Sequence, residues 1–552
     1  MTAAAFAFGL TESDIAASFA GRQLSIGKQL YAEGRVDQAI DAYRRGLADR
    51  SDHPAIETIS ELHSNLGNAC MVLGDLEGAA ENYKAALRAS PQLTSCWCNL
   101  GTVHLKRGKA RDAVTLYVQA LSIHPGHWPS RTNLVQALIA TQQYLMAKVL
   151  LMELLAERPG DGKLYNQLGK LHFELQETET ALDYFTQAIA LDATDADSIY
   201  WTGSIRQHQG EIEAAELAYA AAAKLQPLIR RAAAIFPAEF RVLALFAPFA
   251  GNLPTGYLFK DAAYDADTLA LFAASRYDAD QLKQGVDVVV NLISDADQAA
   301  GLLPQAALLV DQLGRPTVND PRKIALTTRD AVADLLQDLP GLRVARVLRQ
   351  KAGAELTLQQ MQLVLPSAAT ILVRPVGTHG GDDFERLQDP AELDKVLAHR
   401  AATDRYLIEY IDYRSADGYF RKYRFIFVAG QILPYHLAIA TDWKVHHDST
   451  DMVDHVWMQQ EEQAFLNAPT TVFNPAHYQL MRQIRERIDL DYFGIDCALD
   501  RSGNLVVFEV NASMLVHEHN EEFPYKNPFV ARIKTAFDEM LRKFAGVGPR
   551  RL

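Results

Sequence analysis

Residues 66–91 read LGNACMVLGDLEGAAENYKAALRASP, and five marks in this stretch set the frame for the N-terminal half. They are the pair Leu66-Gly67, the glycine Gly74, Ala79 twelve places after Gly67, Tyr83 four further on, and a closing Pro91. Working outward, the pair returns as Leu100-Gly101, Leu168-Gly169 and Thr202-Gly203 on a 34-residue ladder, with Leu134-Val135 on the remaining rung. The alanine returns in phase as Ala113, Ala147, Ala181 and Ala215, and the large residue as Tyr117, Leu151, Phe185 and Tyr219. Pro125, Pro159 and Pro227 close further units. An earlier copy, Ile26-Gly27 with Ala39 and Tyr43, precedes the next by 40 residues, which predicts a longer loop over Asp49–Ser60.

The spacing has a physical reading. Small residues let two antiparallel helices approach closely, the large side chain fills the groove they leave, and Gly74, Gly108 and Gly210 suit the turn between them. In-phase recurrence makes this an array of helix pairs, each unable to bury its apolar face alone. The pattern resembles the tetratricopeptide repeat (TPR) family over roughly residues 20–228, in six copies. The resemblance implies an all-α superhelix whose concave face holds a peptide or protein segment, or else an arm for scaffolding or dimerisation. Cys96, Trp97 and His104 fall on repeat helices and read as packing residues.

A chain of 552 residues is too long for one hydrophobic core. With 49% apolar and 22% charged residues it is globular throughout. A net charge of −14, with no basic arm in either half, excludes a partner bound by neutralising nucleic-acid phosphates. No apolar run is long enough to span a bilayer, and the N-terminus lacks a basic residue before Arg22, so neither membrane anchor nor leader is expected. Four scattered cysteines (Cys70, Cys96, Cys98, Cys497) make no disulfide framework and no zinc set, so a cytoplasmic location is expected.

After Pro227 the helical period breaks. Phe240–Phe246 reads as a buried strand followed by a Gly/Pro loop, Val286–Ile293 as a second, Leu303–Leu313 as an amphipathic helix and Pro316–Val318 as another short strand. This alternation predicts a small α/β domain with a mainly parallel sheet. Beyond about residue 340, Leu342–Leu348, Thr370–Arg374 and Tyr406–Tyr410 read as strands, Tyr423–Val428 with Gln431–Ala438 as a hairpin turning at Ala429-Gly430, and His477–Arg487 as a helix. A final hairpin, Tyr492–Leu499 and Leu505–Val510, turns at Arg501–Asn504.

That last hairpin carries the strongest chemistry. Alternate strand residues share a face, so Glu509 and Asn511 point one way while Phe508 and Val510 point into the core. A four-residue loop would pair Asp500 with Leu505 and so set Asp496 opposite Glu509. Two carboxylates and an amide then converge as hard oxygen donors suited to magnesium, against the alternative of an ordinary solvated strand face. Upstream, Ile371–Arg374 delivers a cation into the glycine loop Pro375–Gly381, whose backbone N–H groups could cradle phosphate.

In this order the parts resemble the ATP-grasp ligases, such as glutathione synthetase and D-alanine–D-alanine ligase, over about residues 240–545. The resemblance implies ATP and magnesium as cofactors, two ions with manganese as a substitute, held by Asp496, Glu509 and Asn511. It places Asn319-Asp320-Pro321 at the link into the nucleotide-binding half, and Arg329 or its rival Lys323 at a phosphate contact usually made by lysine. Arg374 takes the second such position and Gly377, Gly380 and Gly381 the loop over the triphosphate. Glu409, Tyr410 and Ile411 match the hinge at the adenine edge, with Asp412 or Glu409 near the ribose. Arg424, Arg374 and Lys444 match the catalytic cations. Arginine in place of both lysines keeps the charge and donates bidentately. Trp443–Met458, with three histidines and three aspartates, reads as a polar substrate loop or a metal cluster, and His517-Glu518-His519 as an acceptor-site wall or plain surface.

The expected organisation is a multidomain chain: an extension over 1–19, an all-α TPR superhelix over 20–230, a pre-ATP-grasp α/β domain over 231–335, and an α+β ATP-grasp fold split into a lid over 336–405 and a large subdomain over 406–552. The expected activity activates a carboxylate as its acyl phosphate, which an amine, or less often a thiol, then displaces. The expected partners are a peptide or protein on the TPR concave face, a small-molecule or amino-acid co-substrate, and a second copy in a homo-oligomer. Alternatives are a ligase of free small molecules with repeats for oligomerisation, or a non-catalytic ATP-binding TPR adaptor.

Overall fold

The computed structural model describes residues 18–548 apart from 49–53, 236, 250, 254–255, 273–275, 366–369, 379–383, 389–395, 397–401, 446–449, 451, 515, 518–519 and 521. The chain divides into two compact units, Met1–Pro227 with Ala234–Ala238, and Leu228–Ala233 with Glu239–Leu552.

The first unit is a succession of helix pairs: α1 (Phe19–Ala32) with α2 (Val36–Ala48), α3 (Ile56–Leu73) with α4 (Leu76–Ala89), and α5 (Thr94–Lys106) with α6 (Ala110–Ile123). Then follow α7 (Trp128–Ala140) with α8 (Tyr144–Glu157), α9 (Gly162–Glu174) with α10 (Thr178–Leu191), and α11 (Ala196–His208) with α12 (Ile212–Leu225). The ladder residues do the packing. A Cβ on Gly67 would stand 2.7 Å from the Tyr83 ring, and the same holds for Gly101 against Tyr117 and Gly169 against Phe185. Where Val135 replaces the glycine, Leu151 replaces the ring, and both are fully buried, so volume is conserved across the contact. Gly74 turns the chain between helices at φ 84°, and Gln142 and Gln176 adopt the same left-handed conformation, at φ 60° and 62°, in the two repeats without a turn glycine. The 40-residue first spacing differs from the expected loop to Ser60. Helix α3 already begins at Ile56, so much of the insertion is extra helix.

The second unit holds three sheets. In the first, β1 (Leu228–Ile229), β2 (Arg241–Phe246), β3 (Asp265–Ala270), β4 (Val288–Asn291) and β5 (Thr317–Val318) take the order β1-β3-β2-β4-β5, parallel except for β1. Strand β3 escapes a hydropathy reading because Asp265, Asp267 and Thr268 interrupt its apolar residues. The stretch expected as one strand over Leu342–Leu348 is two, β6 (Leu342–Val344) and β7 (Val347–Gln350), which join different sheets.

Strands β7, β8 (Ile371–Pro375), β9 (Glu385–Leu387) and β10 (Arg405–Glu409) form an antiparallel sheet ordered β7-β10-β8-β9. A boundary at 405/406 would separate β10 from both its partners, so the break to the last sheet falls after Glu409. That last sheet runs β12-β11-β13-β14-β6, from β11 (Phe420–Val428), β12 (Gln431–Ala440), β13 (Tyr492–Leu499) and β14 (Leu505–Asn511). Helices α13 (Val456–Asn467) and α14 (Pro475–Ile488) bury Phe465 and Ile484 in one core cluster with Phe425, and α15 (Asn527–Phe544) buries Ile533 and Phe537 in another with Ile426. Asn319 joins the first sheet to β13: buried at φ 56°, it donates to the Tyr492 carbonyl at 2.7 Å and accepts from the Tyr492 N–H at 2.9 Å. No described helix is long and apolar enough to cross a membrane.

Candidate functional site

The last hairpin sets Asp496 opposite Glu509, by a route that differs from the arithmetic of a four-residue loop. Leu499, not Asp500, pairs with Leu505, which alone would put Asp496 out of step. A β-bulge at Phe508 restores the register, since Cys497 faces Val507 while Asp496 faces Glu509. Phe508 correspondingly leaves the face expected of it. Val507 and Val510 share one core cluster, whereas Phe508 packs on Tyr413 at 4.6 Å beside Val506.

Each carboxylate is held by guanidinium. Asp496, 3% exposed, accepts from Arg424 Nε at 2.7 Å and Nη2 at 3.0 Å, with Lys422 Nζ at 3.4 Å. Glu509 accepts from Arg329 Nη2 at 2.7 Å and from Asn511 Nδ2 at 3.2 Å. Burial pushes the Asp496 carboxyl up, but Arg424 and Lys422 outweigh it and hold the group well below the usual range. Burial likewise raises Glu509, and the charge of Arg329 reverses the sign. Both are ionised at neutral pH. Asn511 Oδ1 accepts from Ser513 N at 2.7 Å and Oγ at 2.6 Å.

Beside this pair lies an open cleft lined by Arg329, Arg374, Gly377, Thr378, Glu509 and Asn511, and by the loop Ser294–Asp297. Arg374, 5% exposed, donates to the Thr378 hydroxyl at 3.0 Å and to its carbonyl. Gly377 stands at φ 79°, and its carbonyl accepts from Gln298 Nε2 at 2.7 Å. Asp297 bridges the walls, accepting from Arg349 at 2.7 Å and from the Tyr406 hydroxyl at 2.7 Å. The sequence reading missed Asp295 and Asp297. The signal was available, because loops at the carboxyl ends of parallel strands are where α/β folds bind ligands, and these follow β4.

The remaining predicted residues separate. Of the two rivals, Arg329 lines the cleft while Lys323 pairs with Asp489 at 2.7 Å. Lys444 is exposed and stands outside the described cleft lining, as do Arg424 and Asp496. Glu409 accepts from the Arg346 N–H at 3.3 Å, and Asp412 from the Arg414 N–H at 3.0 Å. Ile411 is buried against Tyr413 and Phe420. The Tyr410 ring lies under Arg386 at 4.1 Å, and its hydroxyl is buried without a partner among the described residues. Gly380, Gly381, His446, His447, Asp448, Asp451, Glu518 and His519 lie outside the described residues. Among the described residues, no three His, Cys, Asp or Glu side chains are grouped to hold a metal. All four cysteines are buried and free.

Comparison with known proteins bears on the first unit. Residues 67–108, 104–171 and 162–195 match tetratricopeptide repeat patterns. The N-terminal region carries tetratricopeptide repeats. The chain is similar to human protein O-mannosyl-transferase TMTC1, 25% identical over 30% of this chain and 19% of that one. The Arabidopsis thaliana CTR9 homolog is 24% identical over 33% of this chain and 17% of that one. The chain thus spans less than a fifth of the length of these curated relatives. A solved tetratricopeptide repeat protein from Parabacteroides merdae covers 40% of this chain and 82% of its own, at 17% identity and a TM-score of 0.33. The repeat protein YrrB covers 30% and 86%, at 20% identity and a TM-score of 0.25.

Within the TPR region a polar ladder links neighbouring repeats through their first helices. Asn68 accepts from Tyr83 at 2.8 Å and from Asn99 at 3.0 Å, Asn133 donates to Thr102 at 3.2 Å, and Asn166 to Ser198 at 2.8 Å. These bonds satisfy amides that burial between helices would otherwise strand.

Proposed function

We propose that the C-terminal unit is an ATP-dependent carboxylate–amine ligase of the ATP-grasp type, and that the TPR region recruits its peptide or protein substrate. The supporting observation is the juxtaposition of Asp496 and Glu509 within a cluster of four cations, Arg424, Lys422, Arg329 and Arg374. Guanidinium groups beside ionised hard oxygens suit a polyphosphate carried with magnesium. Asp496, Glu509 and Asn511 would hold the metal, which when bound neutralises phosphate oxygens and leaves the γ-phosphorus open to attack. The guanidinium groups now on the carboxylates are then free to turn to phosphate, where their fork geometry fits equally well.

The residues divide the work. Arg329 and Arg374, at the cleft, neutralise charge on the transferring phosphoryl group. Gly377, which lines the same cleft, leaves its backbone open to phosphate oxygens for want of a side chain. Tyr410, whose hydroxyl has no partner among the described residues, would stand at the adenine end. A substrate carboxylate oxygen attacks the γ-phosphorus and ADP leaves. The amine nitrogen then attacks the acyl carbon, phosphate leaves with the C–O bond electrons, and one proton is lost. A substrate held on the repeats reaches the cleft at raised local concentration.

The test is incubation of the full chain with ATP, magnesium and pools of carboxylates and amines, following ADP and AMP. Substrate-dependent ADP is expected, reduced at least ~100-fold in Glu509→Gln, which removes one charge at little change of volume. AMP would mean adenylation instead. Neither product would favour the second reading, a non-catalytic TPR adaptor, for which the present pairing of both carboxylates with arginine speaks.

A further inference from the structure

The outer face of the TPR region changes character at its fourth repeat. There the second helix, α8, points Leu145, Val149, Met152 and Ala156 outward, and the first three are 77%, 54% and 50% exposed. Two repeats earlier the same four places are Glu77, Glu81, Lys84 and Arg88 on α4, all charged and all exposed. The stripe likewise opens with Asp37 and Asp41 on α2 and with Glu179 and Asp183 on α10. On its other side α8 buries Ala147, Leu151 and Leu154 within the repeats. A helix apolar all round is normally covered all round, and the outer side of α8 takes no part in the packing of its own repeat.

The spacing and the rim say what fits. Steps of four, three and four residues are the d-a-d-a rhythm of a helix that packs lengthwise on another helix. Lys148 and Glu153 stand on opposite flanks of the stripe, in the g and e places, five residues apart. When two α8 helices lie parallel about a two-fold axis, each Lys148 meets the partner's Glu153. In its own chain Glu153 has only a long contact to Arg131, at 3.9 Å, and Arg131 holds Glu157 at 2.8 Å. Helices α6 and α10 are the second helices of the adjoining repeats and run on either side of α8. The same axis therefore carries α6 of one copy over α10 of the other, with Arg111 level with the partner's Glu179 and Thr115 with the partner's Asp183. An antiparallel pair would instead bring both Lys148 flanks to one side and both Glu153 flanks to the other.

We propose that α8 is a self-association surface, through which two copies of this chain pair in parallel, α8 on α8. An apolar centre inside a charged rim is the make-up of an interface core, and the rim charges fix the orientation. The repeats already hold α8 as a helix, so pairing orders no new backbone.

Light scattering on the full chain tests the pairing. The wild-type mass should approach twice 61.2 kDa, and Val149→Glu should return it to that of one chain by weakening association at least ~100-fold. Circular dichroism and thermal melting of the variant check that the repeats stay folded. Lys148→Glu alone should separate the copies, and Lys148→Glu with Glu153→Lys should rejoin them, because the charges meet again with signs exchanged. All four native cysteines are buried, so Val149→Cys, treated with oxidised glutathione, should link two copies by a disulfide. Glu81→Cys, at the matching place of the second repeat, should not. A monomeric wild-type protein overturns the proposal and leaves the face to a different protein or to another segment of this chain. A dimer indifferent to Val149→Glu also overturns it, since its interface lies elsewhere. Should that variant unfold, the Val149→Cys link decides by itself. A dimer with neither the link nor the charge rescue overturns the parallel arrangement.

Discussion

At the scale of single residues, His436 and Glu462 tie the stability of the C-terminal unit to pH. His436 is depressed from 6.5 to about 4, by burial and by Lys526. Glu462 is raised by burial but brought down from 4.5 to about 2 by hydrogen bonds from His436 and Tyr525 and the Lys526 charge. In both, the unfolded chain binds the proton more readily. Their contribution is whole above pH 6.5 and declines as pH falls, first through the histidine window and then below 4.5 through the carboxylate one. Urea denaturation should show a loss on the order of 2–3 kcal/mol between pH 7 and 4, with a shallower slope in His436→Gln. A pH-independent midpoint would contradict the buried pair. Nothing in the sequence around His436 marks it, because its carboxylate comes from a helix 26 positions away.

At the scale of elements, the helix pairs stand on contacts between glycine and ring. Gly67→Ala would press a methyl group against Tyr83, a collision the neighbouring backbone must absorb, and should cost roughly 1–3 kcal/mol by thermal denaturation. The β11–β12 turn offers the opposite sign. Ala429 at φ 48° precedes Gly430 at φ 88°, a pairing that asparagine tolerates better than alanine. Ala429→Asn should therefore stabilise the C-terminal unit by up to ~1 kcal/mol in urea, since the short amide side chain can hydrogen-bond the local backbone in the left-handed region, which alanine cannot do. Both elements were legible because their signals are local: a recurring period for the helices, a two-residue turn for the hairpin. The β14 bulge was not. It depends on which residues the flanking clusters accept, Phe508 on Tyr413 and Val507 with Val510 in the core, so the facing of Asp496 and Glu509 came from an offset in the loop cancelled by one in the strand.

At the scale of the whole molecule, the two compact units have separate cores, and calorimetry of the full chain should resolve two transitions. MgATP should raise the one belonging to residues 228–548, by about 2.7 kcal/mol at a hundredfold excess over Kd, and leave the TPR transition in place. A shift in neither would remove the nucleotide from the account. The chain's own pattern determined the repeat array, the parallel sheet and the identity of the acidic residues on the last hairpin, because period, strand alternation and turn chemistry act between residues near in sequence. Tertiary structure alone decided which arginine caps which carboxylate, that Lys444 stands apart from the cleft, and that Glu462 orients His436. Those choices depend on how sheets and helices distant in sequence pack, and a buried charge settles on whichever opposite charge that packing brings within reach.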